Sequence, residues 1–135
     1  MANVLYPKFK QDRLEGGVSL LTADIKVVLI DLADYTFAVG HQFLSDIPAG
    51  ARVATSPNLG TKVTTDGIFD AANTTFTAVT GDESEALGIY IDSGVAATSA
   101  LIAFLDTGIT GMPVTPNGGD INVNWDEGAS KIFAL

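Results

Sequence analysis

Short runs rich in Val, Ile, Phe and Thr recur along this chain, each closed by a turn signal, and this cadence restricts the fold more than any other feature. The runs fall at residues 18–22, 25–31, 51–56, 61–65, 68–69, 73–79, 86–92, 99–106, 120–125 and 131–135. Pro57-Asn58-Leu59-Gly60, Asp66-Gly67, Gly81-Asp82, Ser93-Gly94, Thr107-Gly108 and Pro116-Asn117-Gly118-Gly119 separate them with residues that favour tight turns. Strands of this length at near-regular spacing predict an all-β fold, an antiparallel β-sandwich of jelly-roll-like form. In the run 25–31, Lys26 is the one polar residue before Asp31, so both faces are expected to be covered and the strand to be central. No linker or internal repeat divides the 135 residues, which are read as a single domain, 1–135.

One short helix is expected from Tyr6 to Glu15. Pro7 suits a first helical position, Tyr6, Phe9 and Leu14 are read as sharing a face, and Gly16-Gly17 stops the helix. It either caps an open end of the core or docks on a neighbouring subunit. The least regular stretch, 32–50, holds Tyr35, Phe37, His41, Phe43, Leu44 and Ile47. A connection this long either crosses the sheets or carries function. Residues 41–47 are read as a helical turn that plugs the core or meets a partner.

The chain is poor in residues suited to chemistry. It has one histidine, His41, and no cysteine, which excludes thiol nucleophiles, thiolate metal sites and paired-histidine sites. Ser45, His41 and Asp46 can be drawn as a triad, but they are sequence neighbours and no Gly-x-Ser-x-Gly elbow is present. Gly81-Asp82-Glu83-Ser84-Glu85 and the group Asp120, Asp126, Glu127 gather carboxylates without the ligand spacing of a calcium loop, and are read as solvated turns. Trp125 shares its strand face with Ile121 and Val123 and is expected in the core, leaving no Trp platform for a sugar. The expectation is therefore no enzyme, no metal, no cofactor and no small-molecule substrate.

Sixteen acids against seven bases give a net charge of −9 with no basic cluster, a field that opposes nucleic-acid binding. No apolar run approaches the ~20 residues that span a bilayer, so no membrane role is expected. The start of the sequence, with Pro7 and Lys8, lacks the apolar core of a signal peptide. Function is expected to lie in surfaces, and the candidate partner contacts are Tyr6, Phe9, Phe43, Leu44 and Ile47, which stand outside the strand cadence.

Residues 25–31 (IKVVLID), 43–53 (FLSDIPAGARV) and 116–125 (PNGGDINVNW), with the ending Lys131-Ile132-Phe133, resemble a family of small structural proteins of tailed bacteriophages, in particular capsid cement or decoration proteins. The likeness extends over nearly the whole chain. It implies a β-sandwich on the outside of the major capsid shell, made in the host cytoplasm, contacting the major capsid protein and copies of itself as a homo-oligomer, with no catalytic residues. Other virion parts (a head-tail connector, tail or fibre component) and a carbohydrate-binding β-sandwich module are the alternatives.

Overall fold

The computed structural model describes residues 3–107, 109, 112–125, 128 and 131–135. It is mostly β, built of antiparallel sheets with one short helix. The strands are β1 (Val4–Leu5), β2 (Ile25–Ile30), β3 (Arg52–Thr55), β4 (Ile68–Phe69), β5 (Thr74–Phe76), β6 (Ala86–Ile91), β7 (Ala100–Leu105), β8 (Ile121–Val123) and β9 (Phe133–Ala134); the helix, α1, is Pro7–Leu14. A five-stranded sheet runs in the order β1-β7-β6-β2-β3, and two small sheets pair β4 with β9 and β5 with β8.

The run of β-branched and aliphatic residues in β2 makes it the natural centre of the large sheet. It lies between β6 and β3, and from Val27 to Ile30 its side chains are fully buried. Lys26 turns its ammonium to Asp92, 2.8 Å away. The register aligns Val4, Phe104, Gly88, Val28 and Thr55 in one row across all five strands. Gly88 is the only one of these without a side chain, and the space is taken. A Cβ there would stand 3.0 Å from Val28 Cγ1, 3.2 Å from Ile30 Cδ1 and 3.6 Å from Ile47 Cδ1, so Ile47 packs over the middle of the sheet where glycine lets it approach.

Tyr6 caps α1 in extended conformation, Pro7 opens the helix, and Gly16 at φ +106° lies beyond its end, in the left-handed region open to glycine. Phe9 is buried, meeting the Phe133 ring edge-on at 6.1 Å between centroids, while Phe133 stacks on Phe69. Leu14 does not share that face and is 90% exposed. Five positions after Phe9 it points about 140° away around the helix.

Several expected strands are corrected. Residues 18–22 hold no strand and turn at 20–22, with Val18 and Leu21 exposed and Ser19 accepting from the Leu21 and Ala23 backbone amides. Residues 61–65 reduce to a bridge between Val63 and Asp70, because Thr61 and Asp66 both take positive φ and break extended pairing on either side. β4 has the expected bounds, the other remaining strands are shorter than expected, and β1, pairing Val4 with Phe104 and Leu5 with Ala103, was not anticipated. The expected turn Thr107-Gly108 falls partly outside the described residues.

The long connection after β2 follows β7. Tyr35 and Phe37 pack on Phe104, Phe43 bridges Ala100, and the Leu44 amide donates to the Ser99 carbonyl. The expected helical turn is a single 3-10 turn, Leu44–Asp46, with a second at Ala49–Ala51 leading into β3. No helix among the described residues is long and apolar enough to cross a membrane.

Candidate functional site

Four of the five candidate contact residues belong to this chain's own core. Tyr6 and Ile47 are 0% exposed, Phe9 3% and Leu44 6%. Their apolar character is spent inside this chain's own core, which corrects their reading as partner contacts. Phe43 alone is half-buried. It lines a cavity of about 360 Å³ beside α1 together with Lys8, Phe9, Val18, Ile91 and Leu101. Phe9 and Phe43 thus meet at one groove, although they lie far apart in sequence. Arg13 holds its edge, with its guanidinium over the Phe9 ring, paired to Asp12 at 2.9 Å and donating to the Val18 carbonyl.

Tyr6 belongs to a different cluster. Its hydroxyl lies 2.9 Å from that of Tyr35, which in turn lies 2.8 Å from His41 Nδ1. Phe37 and Phe104 close the aromatic packing around these two tyrosines. Burial drives the Tyr6 phenol far above its ordinary range and its bond to Tyr35 adds to this; burial also raises Tyr35. The cluster joins the residue before α1, the connection after β2, and β7.

The Ser45, His41, Asp46 triad does not form. His41 Nδ1 is engaged by Tyr35, while Asp46 accepts from the Gln42 and Phe43 backbone amides at 2.7 and 2.9 Å. These two bonds hold the Asp46 carboxyl below its usual range, with the attraction of His41 a smaller cause. Its work is to cap the 3-10 turn.

The acidic turn is wider than the sequence indicated. Asp82 meets Asp31 and Asp34, with carboxylate oxygens within 4.8 Å of one another, and Asp31 is buried. Folding brings them together, since Asp31 and Asp34 lie in the connection that follows β2 and Asp82 in the turn before β6. Glu83 accepts from the Thr115 hydroxyl. Glu85 is raised, by burial first and then by repulsion from Asp31 and Glu83. One carboxylate oxygen of Asp31 already accepts from the Ala33 amide, which leaves the three side chains fewer free oxygens than the six to eight calcium takes. In the other expected acidic group, Asp120 accepts from the Ala78 amide, while residues 126 and 127 lie outside the described residues.

Trp125 is buried as expected, its Nε1 donating to the Ala72 carbonyl at 3.1 Å. Tyr6, Tyr35 and Tyr90 are buried too, so the single tryptophan and all three tyrosines of the chain face inward. No protein-family model matches the chain, and no curated protein matches it.

Proposed function

We propose that this chain is a non-enzymatic structural protein of a tailed-bacteriophage virion, a cement protein that binds the outside of the major capsid shell and stabilises it. The observation that carries the reading is where the chemically versatile side chains go. The only imidazole is bonded to Tyr35, and every tyrosine and the tryptophan are enclosed in the core. A sugar-binding module needs an aromatic platform on its surface, and these four rings do not provide one. What remains outside is a β scaffold with few charges, suited to binding as a rigid body. The resemblance of residues 25–31, 43–53 and 116–125 to phage cement proteins supplies the class of partner.

On this reading the two small sheets pack against the five-stranded one as an irregular, jelly-roll-like β-sandwich. The partners are the major capsid protein and further copies of this chain, and the protein resides on the capsid exterior after synthesis in the host cytoplasm. The net charge of −9 favours basic patches on a shell over packaged DNA. Phe43 and the groove it shares with α1 are the contact surface assigned here, in place of the buried residues.

Purified protein added to shells that lack it should sediment with them, and those shells should then rupture at a higher temperature. Absence of binding to such shells, with the protein folded, would overturn the assignment. A connector, tail or fibre part remains the alternative within the same virion, and copy number separates it from cement.

A further inference from the structure

The groove beside α1 carries Lys8 and Asp12 together, so its charge selects no occupant. The chain of hydroxyls behind it carries more. Tyr6, Tyr35 and His41 form a line of three polar groups with two hydrogen bonds between them, at 2.9 and 2.8 Å, and Tyr6 is fully buried.

Counting protons along this line gives one satisfied arrangement. With neutral imidazole, Tyr6 donates to Tyr35, Tyr35 donates to His41 Nδ1, and the other ring nitrogen carries the remaining hydrogen. Protonated imidazole donates from both nitrogens. The line then holds three hydrogens for two bonds, and one buried phenolic hydrogen loses its acceptor, a loss of roughly 1–3 kcal/mol for such a group.

A different partner for the charged ring stands close by. The Asp46 carboxylate is attracted to His41 and is fixed by the Gln42 and Phe43 amides, in the residues that directly follow His41. The groups that face His41 are therefore Tyr35 from its own segment, Asp46 from the 3-10 turn and, through Tyr35, Tyr6 from the start of α1; β7 brings an uncharged ring, Phe104, against Tyr35. We propose that His41 is a pH-sensitive latch: as neutral imidazole it holds Tyr35 and fastens residues 36–41 onto the β7 side of the core, and on protonation it leaves Tyr35 for Asp46 and releases that segment. The segment is suited to release, since its main internal backbone bond is His41 to Ala38 and Val39 is 70% exposed. Release uncovers the Phe37 ring that packs on Tyr6 and Phe104. The latch goes beyond the cement reading and does not depend on what the protein binds.

The test is hydrogen exchange of the residue-41 amide, which donates to the Ala38 carbonyl, from pH 7.5 to pH 5, corrected for intrinsic rates, alongside nuclear magnetic resonance titration of the His41 ring nitrogens. In the native sequence, protection should fall by about tenfold or more, with a midpoint that coincides with ring protonation. In His41→Gln, which accepts from Tyr35 without gaining charge, protection should stay level. Three results would overturn the latch: constant protection while the ring protonates, an equal fall in His41→Gln, or a ring that stays neutral until the whole domain unfolds. The coincidence of the two midpoints in the native protein decides the matter even if the variant fails to fold.

Discussion

The Tyr6 and Tyr35 hydroxyls lie 2.9 Å apart beside the rings of Phe37 and Phe104. This bond ties the residue that opens α1 to the connection leaving β2, so two segments far apart in sequence are held in the core by one polar contact.

The two tyrosines are not equivalent. Tyr6→Phe removes a terminal donor and leaves Tyr35 bonded to His41, so its cost should be about 0.5–1.5 kcal/mol; Tyr35→Phe strands the Tyr6 hydroxyl and should cost about 1–3 kcal/mol more than a matched apolar exchange. Urea unfolding of both single variants and the double variant checks this. The double variant should be less destabilised than the sum, because it no longer buries an orphan hydroxyl.

Gly88→Ala should destabilise the domain by about 1–3 kcal/mol, despite the better strand propensity of alanine, through crowding against Val28 and Ile30. Both neighbours are fully buried in the central strand and have little room to move. Adding Val28→Ala should cost less in the Gly88→Ala background than in the native protein. Equal costs in the two backgrounds would show that the methyl finds space.

Phe9 and Phe43 should separate core from contact. Phe9→Ala should cost about 3–5 kcal/mol as a core truncation, consistent with 3% exposure and its edge contact with Phe133. Phe43→Ser should leave the melting transition much less affected and weaken attachment to shells. Thermal unfolding and shell co-sedimentation of the two variants provide the comparison.

Asp46 and Glu85 should respond to pH in opposite directions. Asp46 is lowered by the two backbone amides it accepts from, so its stabilisation is present above the ordinary carboxylate range and is lost as pH falls through its folded value. Glu85 is raised by burial and by its acidic neighbours, so its contribution is fully present below the ordinary range and is lost as pH rises through its folded value. Glu85→Gln should therefore stabilise the domain at pH 7, with the gain shrinking towards pH 3. Asp46→Asn should destabilise it at pH 7 and lose its effect in acid. Unfolding midpoints across that range check both signs.

The large sheet was legible because β2, β6 and β7 are long, apolar and bounded by turn residues, signals carried locally in the chain. The helix was legible for the same reason, from Pro7 and the Gly16-Gly17 stop. Residues 18–22 misled because β-branched residues also occupy turns, and 61–65 because positive φ at Thr61 and Asp66 limits the pairing to a single bridge. The two-residue β1 has no periodicity to read, and its place depends on β7, far along the chain. The candidate contacts failed on a related point. Apolar residues outside the strand cadence were equally able to fill this chain's own core, and Tyr6, Phe9, Leu44 and Ile47 do so. Neither the Tyr6–Tyr35–His41 line nor the meeting of Asp31 and Asp34 with Asp82 could be read from spacing, since each joins separate segments through the folded sheet.

Cryo-electron microscopy of intact particles tests the central claim most directly, by locating the protein and counting its copies. The cement reading predicts density for this fold on the outer face of the shell in numbers that follow the shell subunits, on the order of hundreds, whereas a closed ring at a vertex or tail would hold about a dozen or fewer. Copies distributed over the outer shell would agree with the account, and a single ring, or particles without the protein, would contradict it.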